Sequence, residues 1–232
     1  MRVPGAVLFD YGRTLVEFDH YPEAELLQAM REALPLLGPG APTAEVVVRD
    51  VMRPLEAELE TFGEDEVDYL DVYERAWRRA GVEAPRAVLY RVLDHEQRAW
   101  DRHVRPAPDA LPTLRALRER GLRTAIVSNA PFPPEMMRRQ MAGLGFLAAV
   151  DAVVLSAEVG RRKPAPELYL AGLSALDVAA ADALYVGDRL VEDYEGPRRI
   201  GMQAVLVTAL AAEPAPPGVA SIDSLAQLLE LL

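Results

Sequence analysis

Ala6-Val7-Leu8-Phe9-Asp10-Tyr11-Gly12-Arg13-Thr14-Leu15 is the stretch from which the fold is read. Its four leading apolar residues do not alternate with polar ones and are too few for a helix. They stop at an acid and a glycine, which predicts a short strand buried on both faces. Similar runs recur at Thr124–Val127, Val153–Leu155, Leu184–Val186 and Ala204–Val207. Helical patterns lie between them. Leu111, Leu114 and Leu117 recur every third residue ahead of Gly121, and Pro164–Leu176 and Asp193–Ile200 follow, the latter with Pro197 in its first turn. A short helix over Ser221–Leu232 closes the chain. Strands alternating with helices predict an α/β architecture with a parallel sheet and right-handed crossovers.

Residues 17–104 break this alternation. Ala, Leu, Glu and Arg fall there at helical spacing, in Glu23–Leu37, Ala44–Thr61, Val67–Ala80 and Ala84–Trp100, with no convincing strand. The segment reads as a helical domain inserted after the first strand, ending at a linker near Arg105-Pro106-Ala107-Pro108. Residues 1–16 and 105–232 then form the core domain. Glu213–Gly218 is Pro-rich and reads as a surface loop.

Composition narrows the function classes. With 36 acidic and 25 basic side chains the net charge is −11, so a broad basic face for nucleic acid or anionic lipid is not expected. The absence of Cys removes disulfides, thiol nucleophiles and thiolate metal sites. No apolar run approaches a membrane span, and Ala6–Phe9 is too short for a signal peptide, so a cytoplasmic location is expected. Among the 25 basic residues only Lys163 is a lysine, and Asn129 is the sole asparagine. In an Arg-biased chain a lone Lys marks a place that needs a compact point charge rather than a planar fork.

Four polar features stand at the carboxyl ends of the expected strands, the edge where open parallel sheets bind ligands. They are Asp10; Ser128 with Asn129; Lys163 in Gly160-Arg161-Arg162-Lys163-Pro164; and Asp188 in Gly187-Asp188-Arg189-Leu190-Val191-Glu192-Asp193. Carboxylates without a neighbouring His or Cys suit a hard, oxygen-preferring cation such as Mg²⁺. A carboxylate there also suits a nucleophile of aspartyl-phosphate chemistry. Lys163, the Ser128 hydroxyl and a metal would offset the charge of a phosphoryl group, with Thr14 and Asn129 as further substrate contacts. Asp193 is expected to orient the metal's surroundings rather than to bind it directly.

In this order and spacing the residues resemble the haloacid dehalogenase-like (HAD) hydrolase superfamily, over residues 1–16 and about 105–210. The most specific stretches are Ser156–Pro166 and Val186-Gly187-Asp188 through Gly201-Met202. The resemblance implies a Rossmann-like core, a C1-type cap at the helical insertion, Mg²⁺ and an aspartyl-phosphate intermediate on a small phosphorylated substrate. It assigns Asp10 as nucleophile and metal ligand, Ser128 and Lys163 as phosphate binders, Asp188 as metal ligand, and the Gly12 carbonyl as a further metal contact.

One position departs from the pattern. Family phosphatases usually carry a second Asp, the general acid, two residues after the nucleophile, and Gly12 stands there instead. Three readings stay open: a substrate with a good leaving group, a substitute drawn from Arg13, Asp19 or His20, or a phosphate-binding module without turnover. Gly12 would also tolerate a backbone angle that Asp does not. The superfamily's 2-haloacid dehalogenases lack that Asp as well, but generally lack the Gly-Asp kept here at Gly187-Asp188.

Weaker features have plainer explanations. His95-Glu96 resembles the start of a zinc-protease helix, but Ala99 occupies the second ligand position, so ordinary surface histidines are expected. Tyr69, Tyr73 and Trp77 share one helix face and read as the core of the insertion. Phe18, Tyr21 and Phe62 are further pocket candidates. The run Glu64-Asp65-Glu66 reads as a solvated turn, and Arg161 and Arg162 as cations of which one faces water.

Overall fold

The computed structural model describes residues 3–18, 23–59, 61 and 63–232. Among them six strands form one parallel sheet: β1 (Ala6–Phe9), β4 (Arg123–Ser128), β5 (Ala152–Leu155), β6 (Ala183–Gly187), β7 (Gln203–Val207) and β8 (Ser221–Ile222). Their order is β5-β4-β1-β6-β7-β8. All four β1 side chains are fully buried, as an unalternated apolar run requires in a sheet covered on both faces. Val7 and Phe9 point into one apolar cluster, Ala6 and Leu8 into the other. The chain leaves β1 with β4 on one side and β6 on the other, so the sheet's switch point lies at the carboxyl end of β1. Phe9 pairs with both Ile126 and Val186. That register carries Asp10, Ser128 and Asp188 past the sheet at nearly one level.

Between β1 and β4 the chain builds a helical layer with its own apolar cluster. It contains α1 (Glu23–Ala33), α2 (Ala44–Val47), α3 (Arg53–Leu59), α4 (Tyr69–Arg79) and α5 (Arg86–Asp101). The uninterrupted helix expected over Ala44–Thr61 is divided by a π turn at Val48–Met52. The expectation of no strand near this segment's ends is corrected. β2 (Val16–Phe18) pairs antiparallel with β3 (Val104–Pro106), so the two crossings into and out of the helical layer run as one ribbon. Two three-residue strands this far apart in sequence leave no local alternation to read. The expected linker at residues 105–108 is thus partly strand.

The core continues with α6 (Ala110–Glu119), α7 (Pro134–Gly143), single-turn α8 (Phe146–Ala149) and α9 (Ser156–Val159), and α10 (Pro166–Leu176). The helix expected from Asp193 starts earlier, as a π turn over Leu190–Glu195 that runs into α11 (Gly196–Arg199), with Pro197 in the first turn of α11. The C-terminal segment expected to be one helix is β8, a 3₁₀ turn and α12 (Leu228–Leu231). No helix among the described residues is long and apolar enough to cross a membrane.

Candidate active site

The sheet edge gathers the residues that the sequence singled out. The Lys163 ammonium donates to Asp10 Oδ1 at 2.7 Å, to Asp193 Oδ1 at 2.7 Å and to the Tyr185 hydroxyl at 2.9 Å. Three protons meet three acceptors, the whole donor capacity of a lysine. Tyr185 in turn donates to the Val127 carbonyl at 2.6 Å. Tyr185 was not anticipated: inside the run Leu184-Tyr185-Val186 its ring reads as packing, and only its hydroxyl hinted at more.

Asn129 fixes the lysine's backbone. Its Oδ1 accepts from the Lys163 amide at 2.7 Å, and its Nδ2 donates to the Lys163 carbonyl at 3.2 Å. The lone asparagine thus clamps the lone lysine, a role beyond the substrate contact expected for it. Thr14 also differs from expectation. It is buried beneath the cleft, with Oγ1 3.5 Å from Asp188 Oδ1 rather than among the groups that line the open space.

Asp193 is fully buried. Its Oδ2 accepts from the amides of Asp188 at 3.1 Å and Arg189 at 2.9 Å, while its other oxygen holds Lys163. Gly187 permits this, because a Cβ there would fall on the Asp193 carboxyl group. Oxygens of Asp10, Asp188 and Asp193 lie within 4.8 Å of one another. With Asp193 engaged by protein donors, Asp10 and Asp188 are the two that face the cleft.

The electrostatics follow from three carboxylates around one ammonium. Burial alone would depress the Lys163 pKa, but the charges of Asp10 and Asp193 outweigh it and hold the ammonium above the ordinary lysine range. Burial, reinforced by Asp10 and Asp193, pushes Asp188 up to about 7. Burial likewise raises Asp193, against the pull of Lys163. An all-oxygen donor set with surplus negative charge fits a hard divalent cation, so the residues present are compatible with Mg²⁺.

Two cavities meet here. A polar one of about 220 Å³ is lined by Asp10, Arg13, Ser128, Arg162, Lys163 and Asp188, among others. A larger one of about 320 Å³ lies between the sheet edge and the helical layer. Gly12, Phe18, Ser128 and Asn129 line both. Gly12 does not take the left-handed backbone that only glycine favours. Arg13 does, with φ 56°. Among the described residues, a Cβ at Gly12 would meet only the Phe18 ring, at 3.9 Å. Position 12 therefore does not need glycine for a left-handed backbone angle.

The remaining candidates fall into place. Tyr73 and Trp77 are buried in the helical cluster, as expected, and Tyr69 also lines the larger cavity. His95 is exposed and His103 half-buried. Asp19, His20, Tyr21 and Phe62 lie outside the described residues. In the acidic run Glu64 and Asp65 are exposed, as expected, but the segment is also bridged to residues 160–162. Arg161 pairs with Asp65 and Glu64, the Glu66 amide donates to the Gly160 carbonyl at 3.1 Å, and the Arg162 amide donates to the Glu64 carbonyl at 2.8 Å. The Glu66 side chain is buried, 3.8 Å from Arg162.

Residues 4–201 match the family model of the haloacid dehalogenase-like hydrolases. A glyceraldehyde 3-phosphate phosphatase of Methanopyrus kandleri is 29% identical over 87% of this chain and 83% of its own length. A phosphoserine phosphatase of Thermus thermophilus is 31% identical over 88% of this chain and 82% of its own. A HAD phosphatase structure from Thermococcus onnurineus superposes with TM-score 0.68 at 22% identity, covering 97% of this chain and 96% of that one. Dehalogenases share the fold as well.

Proposed function

The chain belongs to the haloacid dehalogenase-like hydrolases, and from that membership we propose that it is a Mg²⁺-dependent phosphatase working through an aspartyl phosphate on Asp10. The observation that carries this reading is the cluster of Asp10, Asp188 and Asp193 around the buried Lys163 ammonium. A dehalogenase attacking carbon has no need of a divalent cation, nor of the Asp188 carboxyl that Gly187-Asp188 turns into the cleft beside Asp10. A phosphatase that works with such an ion needs both.

Asp10 and Asp188, with the Gly12 carbonyl, would hold Mg²⁺. The bound ion supplies Lewis-acid charge that offsets the repulsion between phosphoryl oxygens and carboxylates. Lys163 orients Asp10 through the bond between them, and reaches a phosphoryl oxygen by exchanging one of its three bonds. Ser128 and the backbone beside it bind the phosphoryl group. Asp193 acts through Lys163 and the Asp188–Arg189 backbone as a positioning residue. An Asp10 carboxylate oxygen attacks phosphorus and the ester P–O bond breaks, with the alcohol leaving and taking up a proton. Water then attacks the same phosphorus, releasing inorganic phosphate and restoring the carboxylate. Residues 17–104 serve as the cap that excludes water during the transfer.

Hydrolysis of p-nitrophenyl phosphate tests this. It is expected to require Mg²⁺ and to vanish in Asp10→Asn. Metal-independent halide release from 2-chloropropionate would instead make the protein a dehalogenase. Phosphate binding without turnover across a broad panel of esters would make it a binding module.

A further inference from the structure

The larger cavity is walled by Leu26, Met52, Leu55, Leu59, Trp100 and Phe132. No Lys, Arg or His is among the described residues that line it. Its two carboxylates, Glu56 and Glu96, come from the helical layer, and Glu96 accepts a long bond of 3.4 Å from Tyr73. The polar cavity alongside collects Arg13, Arg162, Lys163 and Arg189. Cations are thus segregated to the end where a phosphoryl group would sit, and apolar surface to the other. Gly12 stands on the passage between the two and adds no polar side chain to it.

We propose that the substrate is a phosphate monoester whose alcohol is apolar, free of any anionic group, and about ten non-hydrogen atoms in size; this rests on the phosphatase reading. The size follows from about 320 Å³ of space at roughly 30 Å³ per non-hydrogen atom. A carboxylate or second phosphate on the alcohol would meet carboxyl groups there and no cation among the described residues. Bare hydroxyls would lose water against Leu26, Met52, Leu55, Leu59 and Phe132, and among the described residues only those reaching a polar side chain such as Glu56, Glu96, Gln97 or Gln140 would regain a hydrogen bond. Apolar methylenes fill the same walls favourably. This separates the chain's substrate from the polar phosphates named for its relatives.

The n-alkyl phosphates from methyl to hexyl share one leaving-group chemistry and differ only in apolar length, so they read the cavity directly. kcat/KM with Mg²⁺ is expected to climb about fourfold per methylene until the cavity is filled. Glycerol 3-phosphate and O-phosphoserine are expected at least about tenfold below propyl phosphate. Leu55→Asp is expected to flatten the climb, and the wild-type series decides the matter even if that variant does not fold. A flat or falling series, or glycerol 3-phosphate turned over as well as propyl phosphate, overturns the inference. If acetyl phosphate is still hydrolysed in that case, the phosphatase reading stands and only the substrate class falls. If no compound, acetyl phosphate included, releases phosphate, the phosphatase reading fails and takes the inference with it.

Discussion

At Gly12, a single missing carboxyl group separates this site from the usual phosphatase pattern. Because a Cβ there meets, among the described residues, only Phe18 at 3.9 Å, Gly12→Asp is expected to fold normally. It should raise kcat on butyl phosphate at least about tenfold, toward the 10²–10⁴ that a general acid supplies. An unchanged kcat in steady-state assays would mean that leaving-group protonation does not limit this enzyme. Lys163→Met tests the opposite corner. It would leave Asp193, fully buried, without its cation, a loss of about 3–5 kcal/mol measurable by urea denaturation. Asp10, Ser128 and Asp188 were legible in the sequence because each is a polar break at the end of an apolar run, and Lys163 because it is the chain's sole lysine. Tyr185 and Glu96 were not, since a tyrosine inside a strand and a glutamate on a helix carry no local mark of what they face. Burial pushes Glu96 up to about 7, with the Tyr73 bond opposing and Glu56 adding to the rise. The folded protein then holds that proton more tightly than the unfolded chain does. Stability falls as pH rises from about 4.5 to 7 and stays reduced above that. Glu96→Gln is therefore expected to stabilise the protein by about 1–3 kcal/mol at pH 8 and by less at pH 5, as thermal melts at the two values would show.

Among the elements, the contacts between the helical layer and the sheet edge were the hardest to foresee. The core strands other than β8 were legible to within a residue or two, because three or four residues of an apolar run between turn signals admit few alternatives, whereas the two residues of β8 lie inside a segment that reads as helix. The β2–β3 ribbon and the Asp65–Arg161 bridge pair residues nearly a hundred positions apart and leave no periodic trace. The segment carrying Glu64-Asp65-Glu66 is tied to residues 160–162 by two backbone hydrogen bonds and by exposed ion pairs. On the other side, Arg139 of α7 pairs with Asp94 and Asp101 of α5. Exposed pairs contribute only about 0–1 kcal/mol to global stability, so Arg161→Ala should barely move the melting temperature. It should speed hydrogen exchange at the Glu66 and Arg162 amides, because the side-chain pairs hold that backbone bridge closed. Unchanged exchange at both amides would show that the backbone bonds hold the segment unaided.

For the whole molecule, the sheet, the helical layer and the two cavities between them make one arrangement: a charged pocket at the switch point, roofed by apolar surface. The sequence conveyed the division into a parallel core and a helical insertion, since alternation and its interruption are long-range patterns of composition. It did not convey the apolar roof, which forms only when α1, α3 and α5 are brought over Gly12 and Ser128. What the account stands on is the covalent phosphoryl transfer to Asp10. The most direct measurement is borohydride reduction of enzyme quenched during Mg²⁺-supported turnover of acetyl phosphate, followed by peptide mass spectrometry. An acyl phosphate is reduced to the alcohol, so homoserine is expected at position 10 and at no other acidic residue. Phosphate released while position 10 stays aspartate, or a reduced residue elsewhere, would contradict it.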